Sequence, residues 1–151
     1  LSIKPGDIVL IQLGHNDGTY NKEERYTSNA DYEMLLSEYY IKGVKQRGAV
    51  PVIVTPVPMH GFTSTATLGS YAASARKVAE TTGTLMIDAH NLALAHYNSL
   101  PGTQQEKQAV LDTYYVLNKK GGSDYTHFTK PGAEKMAEII YGELVRLEVV
   151  K

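Results

Sequence analysis

Residues 7–13 read DIVLIQL, a short apolar run closed off by Pro5-Gly6 before it and Gly14 after it. The run does not alternate, is rich in branched residues and is too short for a buried helix. It predicts a strand covered on both faces, as strands in parallel sheets are. VPVIVT at 50–55 and TLMIDA at 84–89 have the same character. Between the first two, Tyr32, Leu35, Leu36, Tyr39, Tyr40 and Val44 recur at helical spacing within 29–47, with Ser28 or Asn29 as N-cap. Leu68, Tyr71, Ala72, Ala75, Val78 and Ala79 predict a second helix over 68–82, and 104–117 reads as a third with a weaker pattern. The last helix has the fullest signature. Thr129 can cap it, Pro131 suits its first turn, and Met136, Ile139, Ile140, Leu144 and Leu147 form its apolar stripe. Strands alternating with helices make an α/β domain with a parallel sheet. Within it the Tyr32, Tyr39 and Tyr40 cluster reads as helix core, and Met34 and Met86 as core fillers.

The bulk composition narrows the function classes. The chain has 151 residues, the size of one domain, with 42% hydrophobic and 21% charged residues. A net charge of −1 with scattered basic residues argues against nucleic acid as a partner. The absence of cysteine removes disulfides, thiolate metal sites and cysteine nucleophiles together, without fixing the compartment. No apolar run approaches the roughly 18 residues that span a bilayer, so no membrane is expected as a partner.

Ligands of parallel α/β sheets collect at the carboxyl ends of the strands. Gly14-His15-Asn16-Asp17 follows the first strand and Thr55-Pro56 the second. A loop holding Asp124 and His127, three residues apart in GGSDYTHFTK, precedes the last helix and can fold over the same edge. A carboxylate at that spacing can fix one imidazole nitrogen and leave the other as a general base. The Asn16 amide can donate to a developing oxyanion. Each feature has a plainer reading. Asp-x-x-His also serves as a helix-capping turn, and Asn and Asp side chains of a GHND turn can bond their own backbone. His15 either touches substrate or holds the turn; His60 either lines the pocket or lies on a surface loop. Asp88, His90 and His96 have no spacing that closes a metal site, so no metal and no cofactor are expected.

IQLGHNDG (11–18) resembles the Gly-x-Asn-Asp block of the SGNH, or GDSL-like, hydrolases, and SDYTHFTKPGAEKMA resembles their Asp-x-x-His block. The order of an IQ strand, GHND, a VTP strand end, a helix with R-x-V-A-E, an ID strand and D-x-x-H-F is closest to the rhamnogalacturonan acetylesterase branch, and runs along essentially the whole chain. The resemblance implies a flavodoxin-like three-layer α/β/α sandwich and a serine esterase that deacetylates pectic sugars. By motif, Asn16 would be an oxyanion donor, Asp124 the orienting carboxylate and His127 the base, with Gly14 and Asp17 shaping the turn.

The family's nucleophile block, Gly-Asp-Ser at a strand end, has no counterpart here. Gly6-Asp7 is followed by Ile8 and opens a strand instead of closing one. None of the eight serines, at 2, 28, 37, 64, 70, 74, 99 and 123, stands in a nucleophile setting. Ser64 and Ser70 read as a substrate-side loop and a helix cap. The chain also begins without Met and reaches a strand almost at once. It is therefore expected to be the C-terminal portion of one esterase domain across 1–151, with N-terminal strand or strands missing. The serine would come from a segment outside it, either a separate chain or an unrecorded part of the same one; a truncated, inactive relative is the third option. A parallel sheet without its first strands would expose an apolar edge that needs a cover. Substrate would be an acetylated oligo- or polysaccharide, with exposed Tyr available to stack on sugar rings. Secretion or attachment to the cell envelope follows from the resemblance alone, and a cytoplasmic location stays open. Two other readings are a carbohydrate-binding or interaction module on the same fold, and a phosphate binder, which the lack of a Gly-rich loop opening a helix disfavours.

Overall fold

The structure, a computed structural model, describes residues 2–61, 66–118, 121 and 123–150. Ser64 lies outside them. Strands β1 (Ile8–Ile11), β2 (Val50–Val54) and β3 (Leu85–Ile87) form a parallel sheet in the order β1-β2-β3, with Ile8 opposite Val50 and Val54 opposite Ile87. Alternation along β2 assigns its faces. Ile53 joins Ile11, Tyr32, Leu36, Val44, Tyr71 and Val78 on one side. Val52 and Val54 join Ile87, Ala93, Tyr97, Leu111 and Met136 on the other. Helices α1 (Asn29–Leu35), α2 (Lys42–Lys45) and α3 (Ala66–Thr82) cover the first face. Helices α4 (Ala89–Ser99), α5 (Gln104–Tyr114) and α6 (Lys130–Arg146) build the second layer. The result is the three-layer α/β/α arrangement. Full burial of each central aliphatic residue contributes about 1.5–3 kcal/mol. Among the described residues, no helix is long and apolar enough to cross a membrane.

Four local features depart from the sequence reading. Strand β1 is not covered on both faces: Ile8 and Leu10 are 40% and 45% exposed, because the second helix layer covers β2 and β3 only. Tyr39 and Tyr40 are exposed as well, since a π-helical stretch (Leu36–Ile41) joins α1 to α2. Its wider turn makes the buried steps Tyr32, Leu36, Ile41 and Val44, so Ile41 takes the place that 3.6-residue spacing gives to Tyr40. Met34 is likewise on the outside, while Met86 packs on the core. Finally, 115–117 is strand β4 (Tyr115–Leu117) instead of helix. It pairs antiparallel with β5 (Ser123–Phe128), so the segment read as a loop is a short ribbon.

Helix α6 starts where β5 ends. The Thr129 hydroxyl accepts from the Gly132 N–H at 3.4 Å and donates to the Thr113 carbonyl at 2.6 Å, while the Thr129 N–H donates to the Tyr114 carbonyl at 2.9 Å. The cap therefore also bolts β5 to the end of α5.

Candidate active site

The turn after β1 is set by packing. Gly14 has φ +131, and a Cβ there would stand 3.1 Å from Pro56 Cγ and 3.3 Å from Tyr71 Cβ. Only glycine fits that conformation and that gap. Gly18 N–H donates to the Gly14 carbonyl and Thr19 N–H to the Asn16 carbonyl, closing the turn. Tyr32 and Tyr71, packed edge to face at 5.2 Å, reach the loop with their hydroxyls. Tyr32 donates to the Leu13 carbonyl; Tyr71 bridges the Asp17 and Thr27 carbonyls. Asp17 thus anchors the loop through its backbone. The Asn16 side chain is exposed and makes no hydrogen bond among the described residues, so its amide protons are free to donate.

On β5, Asp124 accepts three hydrogen bonds. Oδ1 takes the N–H groups of Thr126 (2.9 Å) and His127 (2.8 Å), and Oδ2 lies 2.6 Å from His127 Nδ1. Tyr125 between them sits at φ 65, which turns both N–H groups onto the carboxylate. These N–H groups, and after them the imidazole, hold the Asp124 carboxyl below the ordinary carboxylate value. An ionised Asp124 fixes the His127 tautomer with its proton on Nδ1 and leaves Nε2 as an acceptor. The His127 side chain is 77% exposed and open to a reacting group.

His15, Asn16, Gly18, Thr19, Tyr20, Asn21, Arg25, Met59, Leu68, Thr126 and His127 line a single cavity of about 510 Å³. Asn16 and His127 are thereby brought together across the carboxyl edge of the sheet. His15 shares this cavity and is also hydrogen-bonded to the Val57 backbone. Burial, with His127 and His90 nearby, keeps its imidazole below the ordinary value and hence neutral at neutral pH. His60 does not line the cavity; Met59 does, and the His60 ring turns toward Asp112. Arg25 and Tyr20 are among the cavity residues that the sequence reading missed. The signal available was the long polar insertion 17–27 between a strand end and a helix, the kind of loop that carries ligand contacts. No serine lines the cavity among the described residues.

A further polar network lies deeper. Asp88, at the end of β3, receives the Arg76 guanidinium in two hydrogen bonds of 2.9 Å and the Thr55 hydroxyl at 3.1 Å. Burial opposes its ionisation, but Arg76, the Asn91 N–H and Thr55 outweigh it and hold its pKa low. This network ties the ends of β2 and β3 together below the cavity.

Comparison with known proteins places the chain. It is 34% identical to the probable rhamnogalacturonan acetylesterase YesY of Bacillus subtilis over 142 residues, 91% of this chain and 62% of that one. It is 27% identical to the rhamnogalacturonan acetylesterase RhgT of the same organism, over 91% of this chain and 60% of that one. The crystal structure of B. subtilis YxiM superposes with a TM-score of 0.79 at 26% identity, covering 98% of this chain and 39% of that one. The chain thus spans about three fifths of the length of the two acetylesterases. The GDSL-like lipase/acylhydrolase family model matches residues 1–140, which carry both the strand-end Asn16 turn and the Asp124–His127 pair. This chain belongs to the GDSL-like lipase/acylhydrolase family.

Proposed function

We propose that this chain forms most of a carbohydrate O-acetylesterase acting on acetylated pectic polysaccharide such as rhamnogalacturonan. The observation that carries the reading is that His127, held by Asp124, shares one cavity with the Asn16 amide, which has no partner among the described residues. In the proposed reaction His127 Nε2 takes the proton of a serine hydroxyl as its Oγ attacks the acetyl carbonyl. Asn16 Nδ2 donates to the oxygen that becomes negative. The proton then passes to the departing sugar oxygen, leaving an acetyl-enzyme, and water repeats the sequence to release acetate.

The serine belongs, in this reading, to a segment beyond these residues that also covers the open edge and face of β1. Support comes from the exposed Ile8 and Leu10, from the greater length of the two acetylesterases, and from a cavity without serine among its described residues. A polymeric substrate implies action outside the cytoplasm, in secreted or envelope-bound form. Labelling of the full-length polypeptide by a fluorophosphonate probe tests the serine mechanism; absence of any labelled serine would overturn it. The Asn16→Ala variant is expected to lose about 10²–10³ in kcat, the usual cost of one oxyanion donor, with its thermal unfolding midpoint retained.

The cavity also supports an acidic sugar. Arg25 is its one fixed charge among the lining residues, no carboxylate faces it from the lining, and its guanidinium makes no hydrogen bond or ion pair among the described residues. Tyr20, 80% exposed at the rim, offers a ring for stacking on a sugar face. Galacturonate units carry a carboxylate that Arg can grip in two hydrogen bonds. Arg25→Ala should therefore lower kcat/KM about tenfold on acetylated galacturonate-containing oligosaccharides, since a charge-assisted bond contributes about 1.5–3 kcal/mol. Hydrolysis of p-nitrophenyl acetate should be unchanged.

A further inference from the structure

Asp124 and His127 stand on a two-stranded ribbon, and the turn between them contains a non-glycine residue in the left-handed region. Such a conformation is strained for a residue with a side chain and persists only when its surroundings hold it. His60, arriving from the loop after β2, contacts that residue twice. Its backbone N–H donates to the Tyr125 carbonyl at 2.9 Å, and its side-chain ring lies edge-on to the Tyr125 ring with centroids 5.4 Å apart. The far side of the imidazole is fixed too. Nε2 lies 2.7 Å from Asp112 Oδ1 on α5, the Gln108 amide donates to the same oxygen at 2.7 Å, and Tyr115 packs edge-on at 5.1 Å. Tyr115 also donates its hydroxyl to the Pro58 carbonyl at 3.0 Å, two residues before His60. The His60 side chain is only 10% exposed and lines no part of the cavity, so it has no access to the reacting atoms.

We propose that His60 is a positioning residue: the Asp112–His60 pair clamps Tyr125 and so holds the left-handed turn that aims Asp124 at His127. A second Asp–His pair thus braces the first from behind, linking the catalytic turn to α5 and the loop after β2. This inference rests on the reading of Asp124 and His127 as the catalytic pair.

The test uses the full-length polypeptide with His60→Ala, His60→Gln and Asp112→Asn. Kinetics on p-nitrophenyl acetate are measured beside the low-field NMR resonance of the His127 Nδ1 proton. Misplacement of a catalytic group by about an ångström costs up to ~10²-fold in rate. His60→Ala should lower kcat by roughly ten- to a hundredfold with KM little changed, and should broaden or shift the low-field proton upfield. Asp112→Asn should move both readouts the same way by less, and His60→Gln, which keeps a donor toward Asp112, should restore part of kcat. Unchanged kcat and an unchanged low-field proton in His60→Ala would overturn the proposal. If His60→Ala fails to fold, the near-isosteric Asp112→Asn decides by the same two readouts. The low-field proton reports the Asp124–His127 contact without reference to turnover. Its loss in His60→Ala therefore supports the clamp even where the catalytic reading itself fails, and that failure would show separately as full activity in His127→Ala.

Discussion

Asp124→Asn is expected to lower kcat of the full-length polypeptide about 10⁴-fold, the cost of giving a catalytic histidine the wrong tautomer. The substitution keeps the side chain's size, and its amide oxygen can still accept the Thr126 and His127 N–H groups that now bind Oδ1 at 2.9 and 2.8 Å. What changes is the other arm. Oδ2, 2.6 Å from His127 Nδ1, is replaced by an NH₂ that can only donate. His127 must then accept at Nδ1 and carry its proton on Nε2, where a serine needs an acceptor. Turnover of p-nitrophenyl acetate measures the loss, and an unchanged far-ultraviolet circular dichroism spectrum separates it from unfolding.

The same carboxylate gives a pH dependence of known sign. The backbone N–H groups of Thr126 and His127, and then the imidazole, place Asp124 below its ordinary value in the folded chain. A depressed folded value means that ionised Asp124 contributes stability above the unfolded value of about 3.9. That contribution disappears as pH falls through the folded value. Urea midpoints of the wild type and Asp124→Asn should therefore differ at pH 7 and converge as the pH is lowered below about 4. A difference that persists unchanged at pH 2 would contradict the assignment.

Gly132→Ala is expected to cause the largest loss of stability, about 3 kcal/mol at the upper end of overpacking penalties. Gly132 stands in the first turn of α6, where the helix meets the end of α5. A Cβ there would overlap the Tyr114 carbonyl group, with the Tyr114 carbonyl carbon and Cα both 2.9 Å away. These are backbone atoms, and the same carbonyl accepts the Thr129 N–H. Relief by rotating a side chain is therefore closed, and α6 must shift away from α5, loosening the Thr129 cap and the β5 end. A urea titration measures the effect. Gly142→Ala, whose added methyl meets nothing within 4 Å on the same helix, is the control expected to hold or gain stability.

The fold was legible where a pattern depends on burial alone. DIVLIQL, VPVIVT and TLMIDA have the length and branching of parallel strands, and each contains one in the order β1-β2-β3. Reading failed where the period itself changes. A π turn moves the buried position from Tyr40 to Ile41, and nothing in helical spacing announces it. Helix α4 escapes the spacing because its buried face, Ala89, His90, Ala93 and Tyr97, mixes two small residues and a polar ring with one large aromatic and makes no apolar stripe, with the Asp88 cap hidden at a strand end. β5 reads as a loop because Gly121 and Asp124 signal a turn, while the pairing with β4 is a long-range contact outside the local pattern. In the candidate site, Asn16, Asp124 and His127 were legible because their chemistry sits at fixed spacing. Arg25 was not, since a charged loop residue looks solvated until the cavity around it is known. The role of His60 was equally hidden, because its partners Asp112 and Tyr125 lie 52 and 65 residues away along the chain.

The most direct test is acetate release from O-acetylated rhamnogalacturonan by the full-length polypeptide and its His127→Ala variant, assayed side by side. The proposed mechanism requires release by the wild type and a fall of about 10⁴-fold or more in the variant. Equal release by the two proteins would contradict it.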